Sequence, residues 1–245
     1  IGHLQRAGCA GQSEAVTAAH NKCIRDLMGD IQVHRKKKSN LTFLTMEEEH
    51  TISTLWEQDG CSEICSKEEL WQAAKSDEMQ IQLRGGDDVS GASEQQYEER
   101  FWRRRLDGIA LDSVGKKCYL IEFKRTRDRR HSYEERAMKV ARQQYKSLLS
   151  GLQAVGQQKG WKVEQLVFVG GTCGSVNVET FNQNLKLLEV PEGKWSRLRQ
   201  RMARRLLEEQ DKVLRAYFAQ KYDKTPTCVG RGCNAAGPKG LAHLS

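Results

Sequence analysis

Residues Leu106–Thr126, LDGIALDSVGKKCYLIEFKRT, read as two strands joined by a tight turn. Gly115 and Lys116 sit at the turn, where glycine supplies a backbone conformation that other residues resist. Side chains alternate across a strand, so Glu122 and Lys124 share one face while Ile121 and Phe123 share the other. Asp107 opens the first strand. Two acids and a lysine therefore meet on neighbouring strands. The apolar residues around them are those of a buried sheet, where unpaired charges would be costly, so the trio is expected at the sheet's margin.

Such a trio suits phosphodiester hydrolysis. Asp107 and Glu122 offer hard carboxylate oxygens to Mg²⁺, with coordination positions left for water and a phosphate. A metal there lowers the pKa of bound water and neutralises charge developing on the phosphate. Lys124 is suited to orient the attacking water or stabilise that charge. The plainer alternative is a solvated hairpin with a surface Glu–Lys pair. The spacing D-x14-E-x-K resembles that of the PD-(D/E)XK, restriction-endonuclease-like nuclease superfamily, with Leu106 where many members carry proline. The resemblance covers about residues 95–169. It implies an α/β fold with an αβββαβ core, a mixed sheet flanked by helices, and a Mg²⁺-dependent endonuclease acting on DNA, with Mn²⁺ able to substitute. Asp107 and Glu122 would be the metal ligands and Lys124 the catalytic lysine.

The flanks extend the pattern. Tyr97, Phe101 and Trp102 give a short helix an apolar face; at about 100° per residue Glu98 falls inside that face and Glu99 off it. The resemblance often has a further acid here, which makes Glu98 a site candidate. A long helix is expected from Tyr133 to Val155, its buried stripe being Tyr133, Ala137, Val140, Ala141, Leu148, Leu152 and Val155. Gln144 falls inside the stripe and Gln143 does not. Many nucleases of the superfamily carry a glutamine on this helix facing the active site, which makes Gln144 a candidate for positioning DNA or water. Trp161–Val169 reads as a strand buried on both faces. One strand of the implied core remains without a segment.

Charge supports a phosphate partner. Residues 1–98 carry 10 basic and 17 acidic groups, residues 99–150 carry 15 and 7, and residues 151–245 carry 15 and 8. Positive charge therefore begins at the motif, as an electrostatic footprint for a nucleic-acid backbone would; a solvated basic surface is the alternative. Arg103, Arg104, Arg125, Arg127, Arg129 and Arg130 flank the hairpin, and Arg201 lies on a basic helix expected over Lys194–Tyr222, so these are the candidate DNA contacts.

The rest of the chain reads as support. An amphipathic helix is expected over Ser13–Ile31, followed by the basic run Arg35–Lys38. Thr45-x-x-Glu48 and Ser66-x-x-Glu69 look like capping boxes for helices over 46–57 and 67–76. Asp77–Ser93, with Arg84-Gly-Gly-Asp-Asp88, reads as a linker. A further helix is expected over Glu179–Leu188. The organisation expected is a mainly helical region over 1–90, a nuclease core over 95–190, a basic C-terminal helix over 191–224 and a flexible tail over 225–245.

Eight cysteines in a chain without an export signal read as reduced thiols. Cys9, His20 and Cys23, with His3, give an incomplete zinc-knuckle pattern; Cys61-x3-Cys65 and Cys228-x4-Cys233 lack partner pairs. The Cys/His region ahead of helices and the nuclease-like unit looks like the endonuclease part of site-specific non-LTR retrotransposon proteins; a similar module occurs in host-targeting effectors. The chain begins with Ile, which reads as a piece cut from a longer protein or a processed product. No run is apolar enough for a membrane span, and a nuclear or other intracellular location is expected. A homodimer is the arrangement that cutting both strands would use. Two other functions stay open: a nucleic-acid-binding module with a vestigial nuclease fold, and a protein-interaction or effector module.

Overall fold

In a computed structural model, residues 10–45, 51–57, 61–84, 93–128 and 132–222 are described. Helix α1 (Ala10–His34) leads to strand β1 (Thr42–Thr45). Helices α2 (Ile52–Glu57), α3 (Lys67–Arg84) and α4 (Glu94–Trp102) follow. Strands β2 (Gly108–Asp112) and β3 (Lys117–Thr126) form the expected hairpin. Then come α5 (Tyr133–Gln144), α6 (Lys146–Gln158), β4 (Lys162–Gly171), α7 (Val178–Leu187) and α8 (Glu192–Tyr222).

The four strands lie in the order β1-β2-β3-β4; β1, β2 and β3 are successively antiparallel, and β4 runs parallel to β3. The protein is thus α/β, with a mixed sheet flanked by helices. The hairpin register pairs Gly108 with Ile121 and Asp112 with Lys117. Its turn works differently from the sequence expectation. Lys116, not Gly115, takes the positive φ, at 50°. Gly115 is needed for space: a Cβ there would lie 2.3 Å from Asp112 Oδ2, and the Asp112 carboxylate accepts the Gly115 N–H at 2.7 Å.

Alternation along the strands builds two layers. Ile109, Leu111, Cys118, Leu120 and Val163 face α3, α4 and α6. Ala110, Tyr119, Ile121, Phe123, Leu166 and Phe168 face α1, α7 and α8. Further along, Val167 and Val169 of β4 meet Ala137 and Ala141 of α5. Helix α6 comes close to α3 because Gly151 carries no side chain: a Cβ there would stand 3.0 Å from that of Ala74.

Several expectations change. The missing strand is β1, four residues that extend the sheet beyond β2. Thr45 ends that strand, and residues 46–50, where the expected helix would begin, lie outside the described residues; the next described helix starts at Ile52, where Thr51 and Thr54 bond each other's backbone and side chain. The Ser66–Glu69 box forms as expected, Glu69 N–H reaching Ser66 Oγ at 3.1 Å and Ser66 N–H reaching Glu69 Oε2 at 2.8 Å. Asp77–Arg84 is helix, not linker: α3 runs through it, because Glu78 is fully buried in polar contact with Arg104, between α4 and β2, and with Ser147 of α6. Residues 10–84 accordingly share the sheet and the apolar cores with residues 94–222 rather than standing apart.

The long helix over 133–155 breaks at Tyr145 (φ −114°, ψ 17°). The Gln144 carbonyl, which an unbroken helix would give to the Leu148 amide, accepts from Arg104 Nη1 at 3.1 Å. The break lets α5 lie on β4 while α6 packs on α3, and it leaves Val140 exposed at 59%, outside the buried stripe. Glu48 and the segment after Tyr222, with Cys228 and Cys233, lie outside the described residues. No helix among the described residues is long and apolar enough to cross a membrane.

Candidate active site

The site forms where β2 begins beside β3. Because Gly108 pairs with Ile121, Asp107 comes level with Glu122 just past the end of the ladder. Asp107 does two things there. Its Oδ2 accepts the Phe123 N–H at 2.6 Å, a backbone donor just past the pairing that β2 supplies. Its Oδ1 meets Nε2 of His20, from α1, at 3.2 Å. A carboxylate only accepts, so that nitrogen carries the proton. The His20 ring also lies against Phe123, with centroids 5.4 Å apart.

Glu122 is 3% exposed. Its Oε1 takes Lys124 Nζ at 2.5 Å, while its Oε2 is buried with no hydrogen-bond partner among the described residues. Burial, and then the Asp107 charge, push the Glu122 carboxyl up from 4.5 to about 7; the Lys124 ammonium and His20 pull the other way. Lys124 continues the chain of contacts, donating to Gln144 Oε1 at 2.7 Å. Gln144 Nε2 donates to the Tyr145 hydroxyl at 2.9 Å, and that hydroxyl donates to the Arg105 carbonyl. This order fixes the amide's orientation. An ammonium can only donate, and a phenol whose proton is committed to a carbonyl can only accept. Burial, then the charges of Glu122 and Asp107, hold the Tyr145 phenol well above its ordinary value, so it stays protonated.

Asp107, Glu122, Lys124 and Gln144 are therefore brought together. Gln144 arrives by a different route from the one expected: it is exposed at the end of α5, and the break at Tyr145 turns it to Lys124. Glu98 is not brought in. It is half-buried, it accepts from Trp102 Nε1 at 3.2 Å, and it contacts none of the other site residues. Two residues of the network lay outside the sequence expectations for the site. Tyr145 carried one signal, a phenol on an apolar stripe. His20 carried none, since its contact spans 87 residues of chain.

The candidate DNA contacts fare unevenly. Arg104 is in a half-buried ion pair with Glu78 and also reaches Ser147 Oγ at 3.2 Å. Arg125 donates to Gln210 Oε1 at 2.6 Å, and Arg201 pairs with Asp30 at 2.8 Å. Arg103 is well exposed, 3.8 Å from Glu99, and Arg127 is half-buried. Arg129 and Arg130 lie outside the described residues.

As for metals, no group of three His, Cys, Asp or Glu side chains among the described residues is gathered as a metal site. Of the knuckle pattern, His3 and Cys9 lie outside the described residues, and His20 is engaged on Asp107. Cys23 is fully buried, with its thiol pushed up to about 11 by burial. Burial likewise lifts Cys61 to about 12 and Cys65 to about 11, so these thiols are protonated near neutrality. The Asp107–Glu122 pair is a different donor set. Two carboxylates are enough for a Mg²⁺ that keeps several waters. The buried, partnerless Oε2 of Glu122 is the feature that fits such an ion, because a desolvated carboxylate oxygen otherwise goes uncompensated. Compared with known proteins, the chain matches no protein-family model, no curated protein and no solved structure.

Proposed function

We propose that this protein is a Mg²⁺-dependent endonuclease that hydrolyses phosphodiester bonds in DNA, built on the PD-(D/E)XK plan. One observation carries the reading. Asp107 and Glu122 stand side by side on neighbouring strands, and Lys124 is bonded to both Glu122 and Gln144 beside a buried, partnerless carboxylate oxygen. The sheet order, with three antiparallel strands and a fourth parallel to the third, is compatible with the αβββαβ core.

Asp107 and Glu122 would hold the metal, which when bound supplies a water of lowered pKa and offsets negative charge on the phosphate. The chain's own residues prepare that arrangement. The Phe123 amide and His20 hold the Asp107 carboxylate in place. Lys124 spends two of its three donors on Glu122 and Gln144, leaving a third for the attacking water or a phosphate oxygen. Gln144, itself held by Tyr145, keeps the lysine from turning away. Lys124→Ala removes the donor and keeps both acids, although Glu122 loses its ammonium partner. It is expected to keep the circular dichroism spectrum and duplex binding of the wild type while cleavage falls at least about 100-fold. A variant that cuts like wild type would show the lysine to be misassigned.

A further inference from the structure

The groove along the outer side of α5 was not among the expected DNA contacts. We propose that it holds the sugar–phosphate backbone of duplex DNA beside the Asp107–Glu122 pair, an assignment that rests on the nuclease reading. The groove is open and has a volume of about 580 Å³. Among the described residues it is lined by Glu135, Met138, Lys139, Arg142, Gln143 and Lys146, three cations against one acid. The cations recur every three or four residues. At about 1.5 Å of rise per helical residue, Lys139 and Arg142 stand about 5 Å apart along α5, and Lys146 opens α6 just past the break at Tyr145.

The state of these charges separates them from the arginines that the fold holds in place. Arg104, Arg125, Arg199, Arg201 and Arg205 are held by Glu78, Gln210, Asn182, Asp30 and Asp26. Lys139 and Arg142 are exposed and have neither ion pair nor hydrogen bond among the described residues. Lys146 has only a surface pair with Asp77 at 3.4 Å, an interaction worth little in water. The groove also runs to the right place. Gln143 lines it, and the next residue, Gln144, bonds Lys124. The end of the groove at Gln143 is thus one residue along the chain from the side chain that bonds the candidate lysine. Lysine, arginine and glutamine side chains are donors suited to phosphate oxygens.

The test is fluorescence anisotropy of a fluorescein-labelled 20-base-pair DNA duplex in EDTA across a salt series. It compares wild type with the double variant Lys139→Gln/Arg142→Gln and with Lys194→Gln/Arg197→Gln. The second pair is equally exposed at the start of α8 and removes the same charge. Each phosphate contact contributes about 0.9 to the slope of log affinity against log salt. The groove variant should therefore lose about 2 from the slope and bind about 10-fold or more weakly near 0.1 M salt. The α8 variant should keep the wild-type slope. Equal loss in both variants, no loss in the groove variant, or no duplex binding by wild type would each overturn the assignment. The readout needs no cleavage. Groove-dependent binding by a protein that never cuts removes the nuclease reading and leaves the groove. A cutting wild type whose groove variant binds and cuts equally well removes the groove alone.

Discussion

Replacing Glu122 by glutamine should make the protein more stable above neutrality and, on the proposed nuclease reading, abolish cleavage. Burial and the neighbouring Asp107 charge move the Glu122 carboxyl from 4.5 to about 7 in the folded state. Between those two values the folded protein keeps a proton that the unfolded chain has released. Stability therefore falls as pH rises through the window, and the loss is complete above about pH 7. At about 1.4 kcal/mol per decade the whole displacement is worth about 3 kcal/mol, of which about 2.5 kcal/mol falls between pH 5 and pH 8. Glutamine has nearly the same shape, keeps an oxygen for Lys124 and does not ionise. Urea unfolding of both proteins at pH 5, 6, 7 and 8 isolates the term, because other groups cancel in the difference. The variant should gain about 2–3 kcal/mol on wild type between pH 5 and pH 8. A difference that stays flat with pH, or a variant that loses ground as pH rises, would refute the electrostatic account. Addition of Mg²⁺ should stabilise wild type at pH 8 and leave the variant unmoved, since only the ionised carboxylate gains from the cation.

Two further substitutions probe what holds the site. Tyr145→Phe removes the hydroxyl between Gln144 and the Arg105 carbonyl; it should cost about 1 kcal/mol in urea unfolding and lower the cleavage rate while duplex affinity stays that of wild type. Glu78→Ala strands the half-buried Arg104 guanidinium and should cost about 3–5 kcal/mol, read as a lowered urea midpoint; a change below about 1 kcal/mol would mean the pair does not anchor α3 to α4 and α6.

The hairpin was legible because its information is local. Alternation alone puts Glu122 and Lys124 on one face, and a short loop brings Asp107 alongside. The αβ order after the hairpin was legible for the same reason: β4 holds the apolar run Leu166–Val169 ended by two glycines, and α7 and α8 keep helical spacing. What escaped the sequence depends on distant partners. Strand β1 is only TFLT, too short for a periodic signal, and is strand because β2 offers it an edge. Asp77–Arg84 looks like the start of a polar linker until Arg104 and Ser147 turn Glu78 into a core residue. The break at Tyr145 is invisible in the apolar spacing, which continues unbroken from Ala137 through Leu152; it follows from Arg104 taking the Gln144 carbonyl. Glu98 was drawn toward the site by its place on a wheel, but the Trp102 indole, four residues further along the same helix, claims it instead.

Charge counting was informative about region and not about residue. The abrupt onset of positive charge at residue 99 is real, yet the arginines nearest the motif are largely absorbed by the fold. Arg104 braces the connection between α4 and β2 against α3, and Arg125 reaches α8. Among the cations left facing outward are Lys139 and Arg142 of α5, which a helical wheel sets opposite the buried stripe.

Cleavage of supercoiled plasmid, wild type beside Asp107→Ala, in Mg²⁺, Mn²⁺ and EDTA, tests the central claim most directly. The account predicts nicked product with either metal, none in EDTA, and none from the variant. Wild type that binds the plasmid and leaves it supercoiled with both metals, or a variant that nicks as fast as wild type, would contradict it.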